Sequence, residues 1–146
     1  MSIYTRILLA LDLSEESEQL ASKTAQMAKA FGAELNLIHV VEPLSFAYGG
    51  DVPMDLTTIQ EQLDDHARSK LDQFAEKVGY PINRKIIVTG HTETEIHRTA
   101  EELNTDLVIV GSHGRHGLAL LLGSTANGVL HGAKCDVLAI RVKDED

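Results

Sequence analysis

Residues 111–125, Gly-Ser-His-Gly-Arg-His-Gly-Leu-Ala-Leu-Leu-Leu-Gly-Ser-Thr, gather the residue types that can hold an anion without a cluster of basic side chains. They directly follow the apolar run Leu107 to Val110. Gly111, Gly114 and Gly117 lack a Cβ, so a loop there can take positive φ and turn backbone N–H groups inward toward a phosphate. Gly123 and Ser124 stand where a last helix would begin, and unpaired N–H groups with the positive end of a helix dipole favour an anion there. The Ser124 and Thr125 hydroxyls add donors. Charge agrees: no Asp or Glu occurs from Leu107 to Cys135, where about four would be expected from the overall acidic content, yet Arg115 and Lys134 remain. A competing reading, a tight turn followed by a buried helix, asks for the same glycines and excludes the same carboxylates. Two generic phosphate loops are ruled out. The chain has no Gly-Lys-Ser/Thr, and Gly111-x-x-Gly114-x-x-Gly117 is not the dinucleotide pattern Gly-x-Gly-x-x-Gly.

Asp12, directly after Ala10 and Leu11, is the other group placed for chemistry. At the carboxyl end of a strand it either accepts N–H groups at a helix entry or serves as a ligand group, accepting from a ribose hydroxyl or helping to hold Mg²⁺. His113 and His116 are three apart, but in a glycine loop rather than on one helix face and with no Cys or acid nearby, so they do not read as a zinc site. His39 is expected in a strand with its ring nitrogens hydrogen-bonded. His66, His91, His97 and His131 read as surface or loop residues. No Gly-x-Ser-x-Gly elbow supports triad hydrolysis. The single cysteine, Cys135, excludes an internal disulfide and a multi-thiolate metal site and reads as a small buried apolar residue.

Positioning these groups requires an alternating framework. Ile7 to Leu11, Leu35 to Val41, Ile86 to Val88, Leu107 to Val110 and Val137 to Val142 are apolar runs, the second broken by Asn36 and His39 and the last by Arg141. Runs apolar on both faces fit strands of a parallel sheet covered by helices. Between them lie helical periods. Ser14 is the expected cap of a helix carrying Leu20, Thr24, Met27 and Phe31, and Gly32 is its stop. Ile59, Leu63, Ala67, Leu71, Phe74 and Val78 form a longer core-facing stripe. Thr92-x-x-Glu95 reads as a capping box before Ile96, Ala100 and Leu103, and Ser124 as the cap of a last helix with Val129 and Leu130. The order βαβαβαβαβ predicts an α/β, doubly wound five-stranded parallel sheet, with ligands outside the carboxyl ends of the strands where their order reverses. The loops after strands one and four are then the places to look. Residues 42–58 make a long loop with Phe46, Tyr48 and Gly49-Gly50, which reads either as a cover or dimer contact or as a flexible excursion.

With 146 residues and 43% hydrophobic composition the chain is expected to form one domain, 1–146. A formal charge of -9 argues against nucleic acid and anionic lipid as partners. No basic leader or membrane-length apolar run is seen, so a cytoplasmic location is expected.

Gly111-x-x-Gly114 followed by Gly123-Ser124, set between "DLVIVGSHG" and "CDVLAIRV", resembles the adenine-nucleotide signature of universal stress proteins. "RILLALDLSEES" and "AELNLIHVVE" resemble two further segments of that family, so the likeness spans essentially the whole chain. The resemblance implies a Rossmann-like sheet of order 3-2-1-4-5 with helices on both faces, and ATP or another adenine nucleotide bound across strands one and four. It implies that Ala10, Leu11 and Asp12 line the nucleoside and reach the ribose or a nucleotide-bound Mg²⁺. Val40 would give backbone contacts to adenine, and Val110 would lie beneath the nucleoside. Gly111, Gly114, Gly123, Ser124 and Thr125 would cradle phosphates, with His113 and Arg115 facing the phosphate path. It further implies a regulatory role in a stress response, acting on a protein partner left unidentified, and a homodimer formed through the last strand, Val137 to Val142. One departure stands out: Arg115 to Leu122 is one residue shorter than the family's usual stretch between motif glycines, which shortens the loop's reach around terminal phosphates. Three other readings compete: a slow ATPase or autophosphorylating enzyme using Asp12, Ser124 or Thr125, a nucleotide-free structural dimer, and a phospho-acceptor receiver domain. The last is disfavoured because Asp12 has no acidic neighbour and Thr89-Gly90 follow strand three.

Overall fold

Ile7, Leu8 and Leu9 are all fully buried, so the strand that carries them must have helices over both of its faces. The computed structural model describes residues 3–13, 15–43, 56–113 and 124–142. Its elements are β1 (Arg6–Ala10), α1 (Gln19–Phe31), β2 (Glu34–Val41), α2 (Leu56–Val78), β3 (Arg84–Thr89), α3 (Thr92–Glu102), β4 (Leu107–His113), α4 (Ser124–Leu130) and β5 (Asp136–Val142). All neighbouring strands pair in parallel, in the order β3-β2-β1-β4-β5. The predicted doubly wound α/β sheet is thus the observed one.

Alternate residues of each strand feed two separate cores. Ile7, Leu9, Leu35, Leu37, Leu107 and Ile109 pack under α1 and α2 with Leu20, Leu71 and Phe74. Leu8, Ala10, Ile38, Val40, Val108 and Val110 pack on the other side with Ile96 and Ala100 of α3 and Val129 of α4. The polar interruption at Asn36 is fully buried and paired, its Oδ1 accepting from Asn83 Nδ2 at 3.0 Å.

Local signals hold where a backbone requirement is absolute and fail where a distant partner competes. Gly32 sits at φ 64°, ending α1 with the Gly32 N–H bonded to the Lys29 carbonyl and the Ala33 N–H to the Ala28 carbonyl. The expected cap Ser14 lies outside the described residues. A 3₁₀ turn, Glu15–Glu18, leads into α1, and Glu18 stands at the cap position without a side-chain capping bond, its carboxylate accepting instead from Lys77 of α2. On α2, Ala67, Leu71, Phe74 and Val78 are buried, but Ile59 and Leu63 are 43% and 41% exposed, against the expected continuous stripe. The reason is length: 23 helical residues run about 35 Å, whereas the eight-residue β2 beneath runs about 26 Å. The capping box does not form either. His91 holds the cap position, the Thr92 hydroxyl donates to Glu42 Oε1 at 2.8 Å, and Glu95 is buried against Arg98. In α4, Val129 is fully buried as expected, whereas Leu130 is 49% exposed. Among the described residues no helix is long and apolar enough to cross a membrane.

Candidate functional site

Strand lengths alone open a notch at the carboxyl edge of the sheet. Ala10, the last residue of β1, pairs with Ile38 on one side and Val110 on the other. Beyond it β2 continues through His39, Val40 and Val41, and β4 through Gly111, Ser112 and His113. The central strand therefore stops three residues short of both neighbours, a step of roughly 10 Å at strand rise. Strand order also reverses between β1 and β4, the position where doubly wound sheets carry ligands.

Ala10, Val40 and Val110 share the face covered by α3 and α4 and are 8%, 9% and 1% exposed, giving the notch an apolar base. Leu11 is buried on the opposite face. Its N–H donates to the Ile38 carbonyl at 2.9 Å, and its own carbonyl lies 2.7 Å from His39 Nδ1. A carbonyl can only accept, so Nδ1 carries the proton and the imidazole ties the end of β2 to the turn after β1. That accords with the expected hydrogen-bonded His39. Asp12 follows at the surface. Leu13 then adopts φ 60°, a left-handed conformation uncommon for leucine, as the chain leaves the sheet for the 3₁₀ turn. No feature of the sequence marks Leu13 as strained.

Gly111 is placed differently from its sequence reading. It lies within β4 without positive φ, paired with Ile140 of β5. A Cβ at this position would stand 3.1 Å from Val142 Cγ2 and 3.3 Å from Leu20 Cδ1, so the glycine lets α1 and β5 close over β4. His113 ends β4 opposite Val142, and Ser124 and Thr125 begin α4; the side chains of all three lie outside the described residues. Gly114, Arg115 and Gly123 lie outside them altogether, as do residues 44–55 of the loop after β2. Ser112, which sequence reasoning passed over, is a polar residue only 9% exposed on the face of Ala10, Val40 and Val110. Its alternation with Val108 and Val110 was the available signal.

Two basic or titratable groups are committed elsewhere. Lys134, counted above toward an anion-tolerant window, pairs with Glu101. That contact holds the Glu101 carboxyl below its ordinary range and the lysine above its own. His97, expected at the surface, is half-buried with Nε2 2.8 Å from the Val129 carbonyl, so it joins α3 to α4. Among the described residues no group of three or more His, Cys, Asp or Glu could hold a metal ion.

A parallel sheet wound 3-2-1-4-5 with its notch at the reversal defines a doubly wound α/β protein of the kind that carries ligands at its strand carboxyl ends. Within that class the chain belongs to the universal stress protein family, whose family model matches residues 3–141. It is 39% identical over 142 residues to universal stress protein A homolog 1 of Coxiella burnetii, covering 97% of this chain and 99% of that one. Homolog 2 of the same organism is 42% identical over 147 residues, covering 98% and 99%. Among solved structures, the hypothetical protein MJ0577 superposes with a TM-score of 0.73 at 28% identity, covering 98% of this chain and 99% of the other. A universal stress protein in complex with cAMP shares the fold, with a TM-score of 0.69 at 21% identity over 96% and 98%.

Proposed function

We propose that this chain is a regulatory protein that binds an adenine nucleotide in the notch above β1 and acts as a homodimer paired through β5. The observation that carries the first part is the three-residue step between β1 and its neighbours. It supplies an apolar base at Ala10, Val40 and Val110, suited to a purine nucleoside, and leads on the β4 side toward the glycine segment and the start of α4. Asp12 would reach the ribose, or a Mg²⁺ that arrives with the nucleotide. Gly111, Gly114, Gly123, Ser124 and Thr125 would surround the phosphates with His113 and Arg115 beside them. That a protein of this fold accommodates cAMP supports the reading. The dimer rests on β5, a border strand paired only with β4 among the described residues.

Calorimetric titration with ATP, ADP, AMP and cAMP tests the nucleotide reading. Saturable binding of at least one is expected, weakened about tenfold or more, or 1.4 kcal/mol, by Gly114→Val combined with Gly123→Val. Absence of heat with all four, together with no adenylate in the mass spectrum of the purified protein, would overturn it.

A further inference from the structure

Along a strand of a parallel sheet the backbone groups of successive residues point to opposite neighbours, so the bonds of β2 show which of its residues face the notch. The Leu35 and Val41 carbonyls accept from the Asn83 and Gly90 N–H groups on the β3 side, at 2.8 and 3.0 Å. The Ile38 carbonyl accepts from Leu11, on the β1 side. Val40, two residues beyond Ile38, therefore turns its N–H and carbonyl toward β1 as well, at a level where β1 has ended.

A ladder continued by one step would give the Val40 N–H to the Leu11 carbonyl. Among the described residues that bond does not form, although its neighbour, from the Leu11 N–H to the Ile38 carbonyl, does. His39 supplies the reason. By alternation its side chain lies on the face of Leu35 and Leu37, opposite that of Val40, and Nδ1 takes the Leu11 carbonyl at 2.7 Å. A carbonyl oxygen can accept twice, so His39 acts by direction rather than by saturation, drawing the oxygen toward its own face and out of line with Val40. The Val40 N–H is left without its ladder acceptor. Val40 keeps 9% of its surface accessible and Val41 is half-buried, so the end of β2 stays within reach of an occupant of the notch. A backbone donor in so dry a place calls for an acceptor, and the occupant can provide it.

We propose that His39 is a positioning residue of the notch: by holding the Leu11 carbonyl on the far face of the sheet, it leaves the Val40 N–H as the donor to a ring nitrogen of the ligand's base. The role of His39 rests on the adenine-nucleotide reading of the notch and adds the side chain that readies one of its contacts.

Amide hydrogen exchange of the ligand-free full chain, followed by NMR, tests the first half. In the parent, Val40 is expected to exchange about tenfold or more faster than Ile38, which lies within the ladder. His39→Leu should slow Val40 about tenfold, because the Leu11 carbonyl returns to it. His39→Asn, which keeps a donor near the place of Nδ1, should leave the parent rate. A purely structural histidine predicts the opposite sign, with Val40 exchanging faster in His39→Leu as the turn loosens. Calorimetry tests the second half: the nucleotide that binds the parent best should bind His39→Leu about fivefold or more weakly and His39→Asn nearly as the parent does. Slow Val40 exchange in the ligand-free parent, a measurement that needs no variant to fold, would overturn the proposal. Faster Val40 exchange in His39→Leu, or undiminished affinity there, would overturn it too. Failure of the parent to bind any nucleotide would overturn the notch reading and the base contact with it, whereas a failed exchange comparison beside intact binding would remove His39 alone.

Discussion

Two glycines with similar surroundings on paper differ in what their neighbours can yield. At Gly111 a side chain would press on Val142 and Leu20, both fixed in the core, so Gly111→Val is expected to destabilise by about 1–3 kcal/mol. At Gly128 a Cβ would meet the Glu93 side chain, which can swing into solvent, while alanine gains about 1 kcal/mol in a helix interior. Gly128→Ala should therefore be neutral or mildly stabilising. Urea midpoints at constant slope separate the two outcomes, and a Gly111→Val midpoint equal to the parent's would refute the packing role of Gly111. Asp106 offers a test with a sign. Burial alone would raise its carboxyl, but bonds from the Thr5 N–H at 2.8 Å, the Arg6 N–H at 3.0 Å and the Thr5 hydroxyl at 2.8 Å hold it below the ordinary value. A depressed folded-state value gives stability that is fully present above the unfolded pKa, near 3.9, and lost as pH falls through the folded one. Asp106→Asn, which must turn an NH₂ toward one of these donors, should cost about 1 kcal/mol at pH 7, a modest figure because the site is partly solvated. The gap between parent and variant should close below about pH 4, and a gap that persists there would show that charge is not what these bonds require.

Helix α4 has seven residues, too few to persist without tertiary anchors. Its anchors are Val129, fully buried, and the His97 bond to the Val129 carbonyl. His97→Phe removes the donor and leaves the carbonyl unpaired, so about 1 kcal/mol of stability should be lost, with amide exchange accelerating in α4 before it does in β1. If the start of α4 meets the phosphates, the same variant weakens nucleotide binding; unchanged exchange in α4 would show that Val129 alone suffices. The element scale is also where the sequence was most and least legible. Continuous apolar runs such as Ile7 to Leu11 and Leu107 to Val110 permit few structures other than a covered strand, and they became β1 and the first half of β4. Gly32 was legible because a left-handed residue must end α1 there. Thr92-x-x-Glu95 misled because the Thr92 hydroxyl found Glu42, fifty positions away, and no local pattern reports a partner at that distance. His97 was misjudged for the same reason, since its partner lies on α4. Of the candidate site, Ala10, Val40 and Val110 could be placed from the strand runs. The three-residue step depends on how far each neighbour extends, which runs of apolar residues do not specify.

At the scale of the molecule, the two borders of the sheet are unlike. β3 shows Arg84, Lys85 and Thr89 to solvent, and charged side chains discourage edge pairing. β5 has Leu138 half-buried and Ile140 buried, beside Met27 and Phe31 of α1, along a groove that Lys23 and Arg141 also line. Under the proposed pairing, a two-fold axis through Ala139 would set β5 antiparallel to its copy, with Leu138 opposite the second chain's Ile140. Each chain would then cover the other's apolar border and complete its backbone hydrogen bonds. Leu138→Lys tests this, because an inward-pointing ammonium on an edge strand blocks strand addition, while in a lone chain it can extend along the groove to water. Sedimentation should change from two chains to one, with stability of the separated chain falling by no more than about 1 kcal/mol. A variant that still sediments as two chains would place the dimer contact elsewhere, and a parent that sediments as one chain would remove the dimer from the proposed function while leaving the notch above β1 intact.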